Sequence, residues 1–93
     1  MASFRGGSGD YQFLSNVTLN PANVTASSIS SETFTITGIN TDTMYVVDAP
    51  SLEAGLFLLG AVPTAVNTLR LDILNTTLAD INPASQVFRI IGL

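Results

Sequence analysis

The sequence predicts an all-β protein: a small antiparallel β-sandwich of about six short strands preceded by a flexible N-terminal arm. Three observations favour this fold. Apolar residues alternate with polar ones at a period of two, as in strands with one buried face. All four prolines fall between the apolar segments, where a missing N–H costs least. No segment shows the periodicity of a helix longer than a turn or two. We therefore divide the chain into an arm, residues 1–10, and a single β-sandwich domain, residues 11–93.

The arm is rich in small residues, and the run from Gly6 to Gly9 gives it a flexible backbone. Such a segment does not fold alone, so we expect it to insert into a neighbouring subunit by strand addition. Phe4 is the expected apolar anchor and Arg5 the expected charge-assisted donor. Tyr11, where the first strand begins, completes this candidate partner-binding set. The alternative for Phe4 is that it covers its own domain.

Three strands are predicted in the first half of the domain. The first begins at Tyr11 and alternates through Phe13, Ser15, Val17 and Leu19 before Asn20-Pro21 ends it. The second spans residues 33–37, with threonines on one face and Phe34 and Ile36 on the other. The third spans residues 43–48 and follows a turn at residues 38–42.

Three more strands are predicted in the second half. The apolar run of residues 56–62 predicts a strand buried on both faces and closed by Pro63. Residues 68–75 alternate most clearly, with Leu69, Leu71 and Ile73 expected to face the core. Residues 87–91 form the last strand, with Phe88 and Ile90 on one side. Only residues 50–55 and 78–81 are allowed a single helical turn.

The charge balance excludes several classes of partner. Charged residues make up 11% of the chain and the formal net charge is -4, so no basic stripe exists to neutralise phosphates. We therefore expect no nucleic acid and no anionic membrane surface as partner. The mean hydropathy is positive, at +0.44, yet the longest apolar stretch, residues 55–62, is far shorter than the roughly 20 residues of a spanning helix. This combination indicates surface covered by protein partners.

Catalysis and metal binding lack the necessary side chains. The chain has no histidine, cysteine or lysine, so no general base stands ready to activate a serine or threonine. Of the seven carboxylates, the candidates for such chemistry are Asp42, Asp48, Glu53, Asp72 and Asp80, and they form no recognisable glycosidase or calcium-loop pattern. We expect no enzyme activity, no cofactor and no metal.

Three charged residues are candidates for contacts between subunits. Arg70 and Asp72 share one face of one predicted strand, and Arg89 is expected on a neighbouring strand. The alternative is a solvated face with weak ion pairs, each contributing about 0–1 kcal/mol.

An ordered set of short motifs carries a family resemblance over residues 20–91, about three quarters of the chain. The motifs are Asn20-Pro21, Phe34-Thr35-Ile36-Thr37-Gly38-Ile39, Val46-Val47-Asp48-Ala49-Pro50, Leu52-Glu53-Ala54-Gly55-Leu56, Gly60-Ala61-Val62, Ala65-Val66-Asn67-Thr68-Leu69, Asn75-Thr76-Thr77 and Ile81-Asn82-Pro83-Ala84-Ser85. In this order they resemble small β-sandwich virion structural proteins of tailed bacteriophages, several of which are capsid decoration, or cement, proteins.

The resemblance implies a non-enzymatic virion component, frequently oligomeric, that binds the major capsid protein and stabilises the head. We expect a homotrimer at local three-fold positions, because multivalent engagement multiplies modest affinities. The start of the chain lacks the apolar core of a signal peptide, so we expect assembly into the virion in the host bacterial cytoplasm. Two alternatives stay open. One is a tail, baseplate or fibre-adaptor subunit. The other is a carbohydrate-binding module, for which Tyr11 and Tyr45 are the candidate stacking residues.

Overall fold

The computed structural model describes residues 13–93, which form two antiparallel sheets of three strands each. The strands are β1 (Phe13–Leu19), β2 (Ile29–Thr35), β3 (Tyr45–Asp48), β4 (Leu56–Ala65), β5 (Thr68–Asn75) and β6 (Gln86–Gly92). The first sheet has the order β1-β6-β3 and the second the order β2-β5-β4. The predicted all-β sandwich of six strands is confirmed, and the arm, residues 1–10, lies outside the described residues.

The hydrophobic core lies between the sheets and is centred on β5 and β6. Leu69 and Leu71 of β5 and Phe88 and Ile90 of β6 have no exposed surface. Each side chain of this size contributes about 1.5–3 kcal/mol when it is fully buried. The predicted inward faces of both strands are therefore confirmed, and β5 and β6 are the central strands because both their edges pair with neighbours.

Loops close one end of the sandwich over a second, smaller cluster formed by Val24, Leu56 and Ile73. Val24 and Ile81 exchange two backbone hydrogen bonds of 2.8 and 3.0 Å across this end. Asn75, at the end of β5, is fully buried among these loops. The closed end is therefore held by backbone pairing between loops that are distant in sequence.

Asn75 uses its whole side-chain amide to hold the loops. Its Nδ2 donates to the carbonyls of Val24 and Ala79, at 3.0 and 2.9 Å. Its Oδ1 accepts from the backbone N–H and the hydroxyl of Thr77, both at 2.8 Å. A buried amide with all these partners fixes geometry, because leaving any of them unpaired carries a desolvation cost.

The expectation that residues 56–62 form a strand buried on both faces is wrong. Among residues 13–93, β4 pairs with β5 alone and is an edge strand, and its Phe57 and Leu59 are 55% and 53% exposed. A register shift between Leu58 and Gly60 leaves Leu58 on the core while Leu59 is turned outward. The run is apolar because its outer face is apolar as well.

Pro63 lies inside β4, not between strands as predicted. It pairs with Leu69 next to a second register shift, between Pro63 and Ala65. An edge strand tolerates proline because one side of its backbone has no ladder partner, and bulges tolerate it for the same reason. The position of Pro63 therefore agrees with the edge role of β4.

The remaining differences concern element boundaries and turns. β2 begins at Ile29, four residues before the predicted start, and β3 begins at Tyr45. The two segments allowed a helical turn contain none. In the first, the N–H of Leu52 donates to the carbonyl of Ala49 over 3.2 Å, an i to i−3 bond that makes a turn.

Candidate functional site: the outer faces of the sheets

The outer face of the second sheet carries an apolar stripe along β4. Its members are exposed side chains that point away from the core: Phe57, Leu59, Val62 and Ala65, hereafter the β4 stripe. Ile29 of β2, 58% exposed, and Leu74 of β5, half-buried, continue the apolar surface across the sheet, because Leu74 pairs with both Ile29 and Phe57. Clustered exposed apolar side chains of this kind mark protein interaction sites.

An ion pair on β5 lies beside the β4 stripe. The guanidinium of Arg70 donates to both carboxylate oxygens of Asp72, at 3.1 and 3.3 Å. The Ser31 hydroxyl, and after it Arg70, hold the pKa of Asp72 below its ordinary value, although partial burial acts in the opposite direction. Asp72 is therefore charged at neutral pH, and the described residues of this face carry no net charge.

The outer face of the first sheet also combines apolar residues with one ion pair. Leu14 and Val46, which are 66% and 51% exposed, flank Ile91 in one row across the three strands. In the next row Arg89 of β6 donates to Asp48 of β3 over 3.4 Å. Within residues 13–93 this face too has no net charge.

Most of the other carboxylates bond to loop backbone. Arg5 and Asp10 precede Phe13, so the described residues contain two arginines and six carboxylates. Glu32, Asp80 and Glu53 accept the N–H groups of Ala22, Ala26 and Ala84, at 2.8, 2.9 and 2.7 Å. These acidic side chains therefore hold loop backbone in place.

The structure separates the predicted inter-subunit charges. Arg70 and Asp72 share one face of β5 as predicted. Arg89 does not lie on a neighbouring strand: β6 belongs to the other sheet, and Arg89 pairs with Asp48 instead. The predicted placement of Arg89 on a strand next to that of Arg70 is wrong, because strand alternation specifies which face of a strand a residue occupies but not which sheet the strand joins. Phe4, Arg5 and Tyr11 lie outside the described residues.

Tyr45 does not offer a ring face for stacking on a sugar. Only 6% of its surface is exposed, its hydroxyl accepts the N–H of Asn40 over 2.9 Å, and its ring meets that of Phe13 edge-on with centroids 5.9 Å apart. Tyr45 also lines an open groove of about 220 Å³ between β3 and β4. In the part of the chain that the structure describes, the groove walls are apolar side chains and backbone, and Tyr45 is their one titratable residue.

Sequence reasoning missed the β4 stripe because an apolar run predicts burial equally well on one face or on two. Pro63 was the available signal, since proline within a strand indicates an edge. Within residues 13–93 no helix has the length and hydropathy that a membrane crossing requires. In the same range no three carboxylates come together as a metal site would need.

Comparison of the chain with protein-family models, with curated proteins and with solved structures finds no match.

Proposed function

We propose that this chain is a virion structural protein of a tailed bacteriophage, and specifically a capsid decoration protein that binds the major capsid protein and stabilises the head. The observation that supports the proposal is that both outer faces of the sandwich expose apolar side chains and have no net charge. Faces of this kind fit contacts with other proteins, on two opposite sides of one small subunit.

The arrangement of charge supports a binding role over a catalytic one. Both arginines among residues 13–93 are paired with aspartates, and three further carboxylates hold loop backbone. Reactive sites need perturbed titratable groups that converge in a cleft. The groove between β3 and β4 has no such cluster. The proposed role is therefore mechanical, not enzymatic.

A decoration protein binds weakly at each contact and many times over the shell, because multivalent engagement multiplies modest affinities. The proposal includes a homotrimer. It also includes the arm, residues 1–10, which the sequence predicts to insert into a neighbouring subunit. The first-sheet face, with Leu14 and Val46, is assigned to the shell.

Reconstitution on heads that lack the protein tests this assignment. Purified wild-type chain and the double variant Leu14→Ser, Val46→Ser are added to heads, and bound copies are measured by gel densitometry after sedimentation. We expect the double variant to lose most of its occupancy, because two exposed apolar contacts are removed. The matched control is Val66→Ser, which is 70% exposed in the turn between β4 and β5, away from that face.

Three outcomes would contradict the proposal or its details. No binding of the wild type to heads, with binding to tail structures, would identify a tail, baseplate or fibre-adaptor subunit. Saturable binding on a glycan array without head binding would favour a carbohydrate-binding module. Equal loss of occupancy in the control and the double variant would remove the shell contact from the first-sheet face.

A further inference from the structure

We propose that the outer face of the second sheet pairs with the same face of a second copy of this chain, about a two-fold axis that runs across the strands at the level of Leu71. A two-fold contact requires a surface that is complementary to itself after rotation. Such an axis reverses the strand direction and keeps the order β2-β5-β4. Each strand therefore lies over its own copy in the antiparallel sense.

The charges on β5 satisfy this requirement. Arg70 and Asp72 stand one residue on either side of Leu71, and both side chains point to the outer face. Rotation places Arg70 over the second copy's Asp72, and Asp72 over the second copy's Arg70. The two ion pairs within the copies become a square of four alternating charges, which strengthens each carboxylate–guanidinium contact as water is excluded.

The apolar side chains of the β4 stripe also match one another after the two-fold rotation. Val62 is level with Arg70, and Leu59 lies in the bulge beside Gly60, which is level with Asp72. Rotation therefore places Leu59 over the second copy's Val62. Phe57 is level with Leu74 and Ala65 with Thr68, at equal distances from the axis, so Phe57 lies over the second copy's Ala65. Large residues meet smaller ones along the whole stripe, as close packing requires.

Strand β2 completes the match with hydroxyl groups. Ser31 is level with Asp72 and Thr33 with Arg70, so Ser31 lies over the second copy's Thr33. Both are exposed and both donate and accept hydrogen bonds. At the levels of Arg70 and Asp72 all three strands are thus self-complementary about the same axis: apolar on β4, charged on β5 and hydroxyl-bearing on β2. Farther from the axis, Ile29 lies over the second copy's Thr35 and Leu74 over the second copy's Thr68, so apolar side chains meet threonines there.

The first sheet lacks this property. Asp48 and Arg89 are register partners at the same level of adjacent strands, so an axis across the strands at that level places Arg89 over Arg89. An axis along the strands between β6 and β3 pairs Arg89 with Asp48 but moves β1 beyond the edge of the second copy's sheet. Only two of three strands then overlap. The second-sheet face is therefore the one assigned to self-association.

The contact is small and the association is correspondingly weak. Three strands about 4.8 Å apart and seven residues of about 3.3 Å each give a face of roughly 330 Å², against roughly 800 Å² per partner in a stable interface. This pairing goes beyond the proposed function. The contacts within a trimer are heterologous and join two different patches, so a two-fold pairing of this face is a separate contact, which would join one trimer to another.

Exchange of the charges tests the pairing on the isolated chain. Sedimentation velocity at concentrations up to about 1 mM, where even weak complexes populate, is expected to show a mass of two chains, or of six if trimers also form. Arg70→Asp alone and Asp72→Arg alone are expected to lose the pairing, because four like charges then meet. An equimolar mixture of these two variants is expected to restore it, because the two aspartates of the first variant then meet the two arginines of the second.

Arg89→Asp is the matched control, since it breaks the ion pair on the opposite face, and it is expected to pair like wild type. Phe57→Ser, which leaves the charges intact, is expected to weaken pairing as well. A wild type that is only monomeric or trimeric at the highest concentration overturns the proposal. So does a mixture that fails to pair, or a control that loses pairing. These measurements involve no heads, so their failure leaves the proposed capsid binding untouched.

Discussion

The loop end of the sandwich and the outer faces of its sheets use polar groups in opposite ways. At the loop end, Asn75, Glu53 and Asp80 bond to backbone groups of distant loops. On the outer faces, the charged groups pair with each other and the apolar side chains are exposed. The polar groups of the loop end therefore hold the fold, while the charged groups of the outer faces balance one another beside exposed apolar side chains.

The largest expected effect on stability is a difference between the inner and outer faces of β5 when a leucine is replaced by aspartate. Leu71→Asp is expected to unfold the domain, because an unpaired charge in the core costs more than about 4 kcal/mol. Leu74→Asp, on the half-buried outer face of the same strand, is expected to cost at most about 1 kcal/mol. Urea denaturation followed by circular dichroism checks both. A native-like Leu71→Asp variant would show that the facing of β5 is inverted.

The second effect tests the loop end. Asn75→Ala is expected to lower the free energy of unfolding by about 3 kcal/mol, since it removes a fully buried amide that donates to two loop carbonyls and accepts from Thr77. Asn82→Ala, at an exposed position of the same loop region, is expected to change it by less than about 0.5 kcal/mol. Equal free energies of unfolding for the two variants in denaturant titrations would contradict the role assigned to Asn75.

The third effect is a pH dependence at the same end. The N–H of Ala84, and after it the side chain of Gln86, hold the pKa of Glu53 below its ordinary value of 4.5. A carboxyl whose folded-state pKa is lowered contributes stability above its unfolded pKa and loses it as the pH falls. We therefore expect the free energy of unfolding to decrease as the pH falls below 4.5.

Glu53→Gln tests this contribution. The variant is expected to be about 1 kcal/mol less stable than wild type at pH 7 and to show a shallower decline in acid. Denaturant titrations at a series of pH values measure both. Parallel curves for wild type and variant would contradict the role given to Glu53.

The smallest effect on stability concerns the arm. Deletion of residues 1–9 is expected to leave the circular dichroism spectrum and the denaturation midpoint unchanged, since a segment of small residues adds little to a core that residues of the sandwich already form. Attachment to heads is expected to weaken, because the arm is assigned to a neighbouring subunit. Unchanged occupancy in a sedimentation assay would remove the arm from the set of binding elements.

Alternation at a period of two was sufficient to predict six strands and the inward faces of β5 and β6. It was insufficient for β4, because an apolar run does not indicate whether the strand is buried on one face or on both. Alternation also does not predict which strands pair with one another. Arg89 is therefore expected beside Arg70 from the sequence, although the two residues lie in different sheets. The self-complementary face depends on cross-strand register, which strand alternation leaves open.

The copy number of this chain in purified phage particles, measured by quantitative mass spectrometry against the major capsid protein, decides whether the chain decorates a capsid. We expect hundreds of copies per particle, in a fixed ratio to the shell subunit. A chain that is absent from particles, or present in only a few copies, would contradict the proposed role.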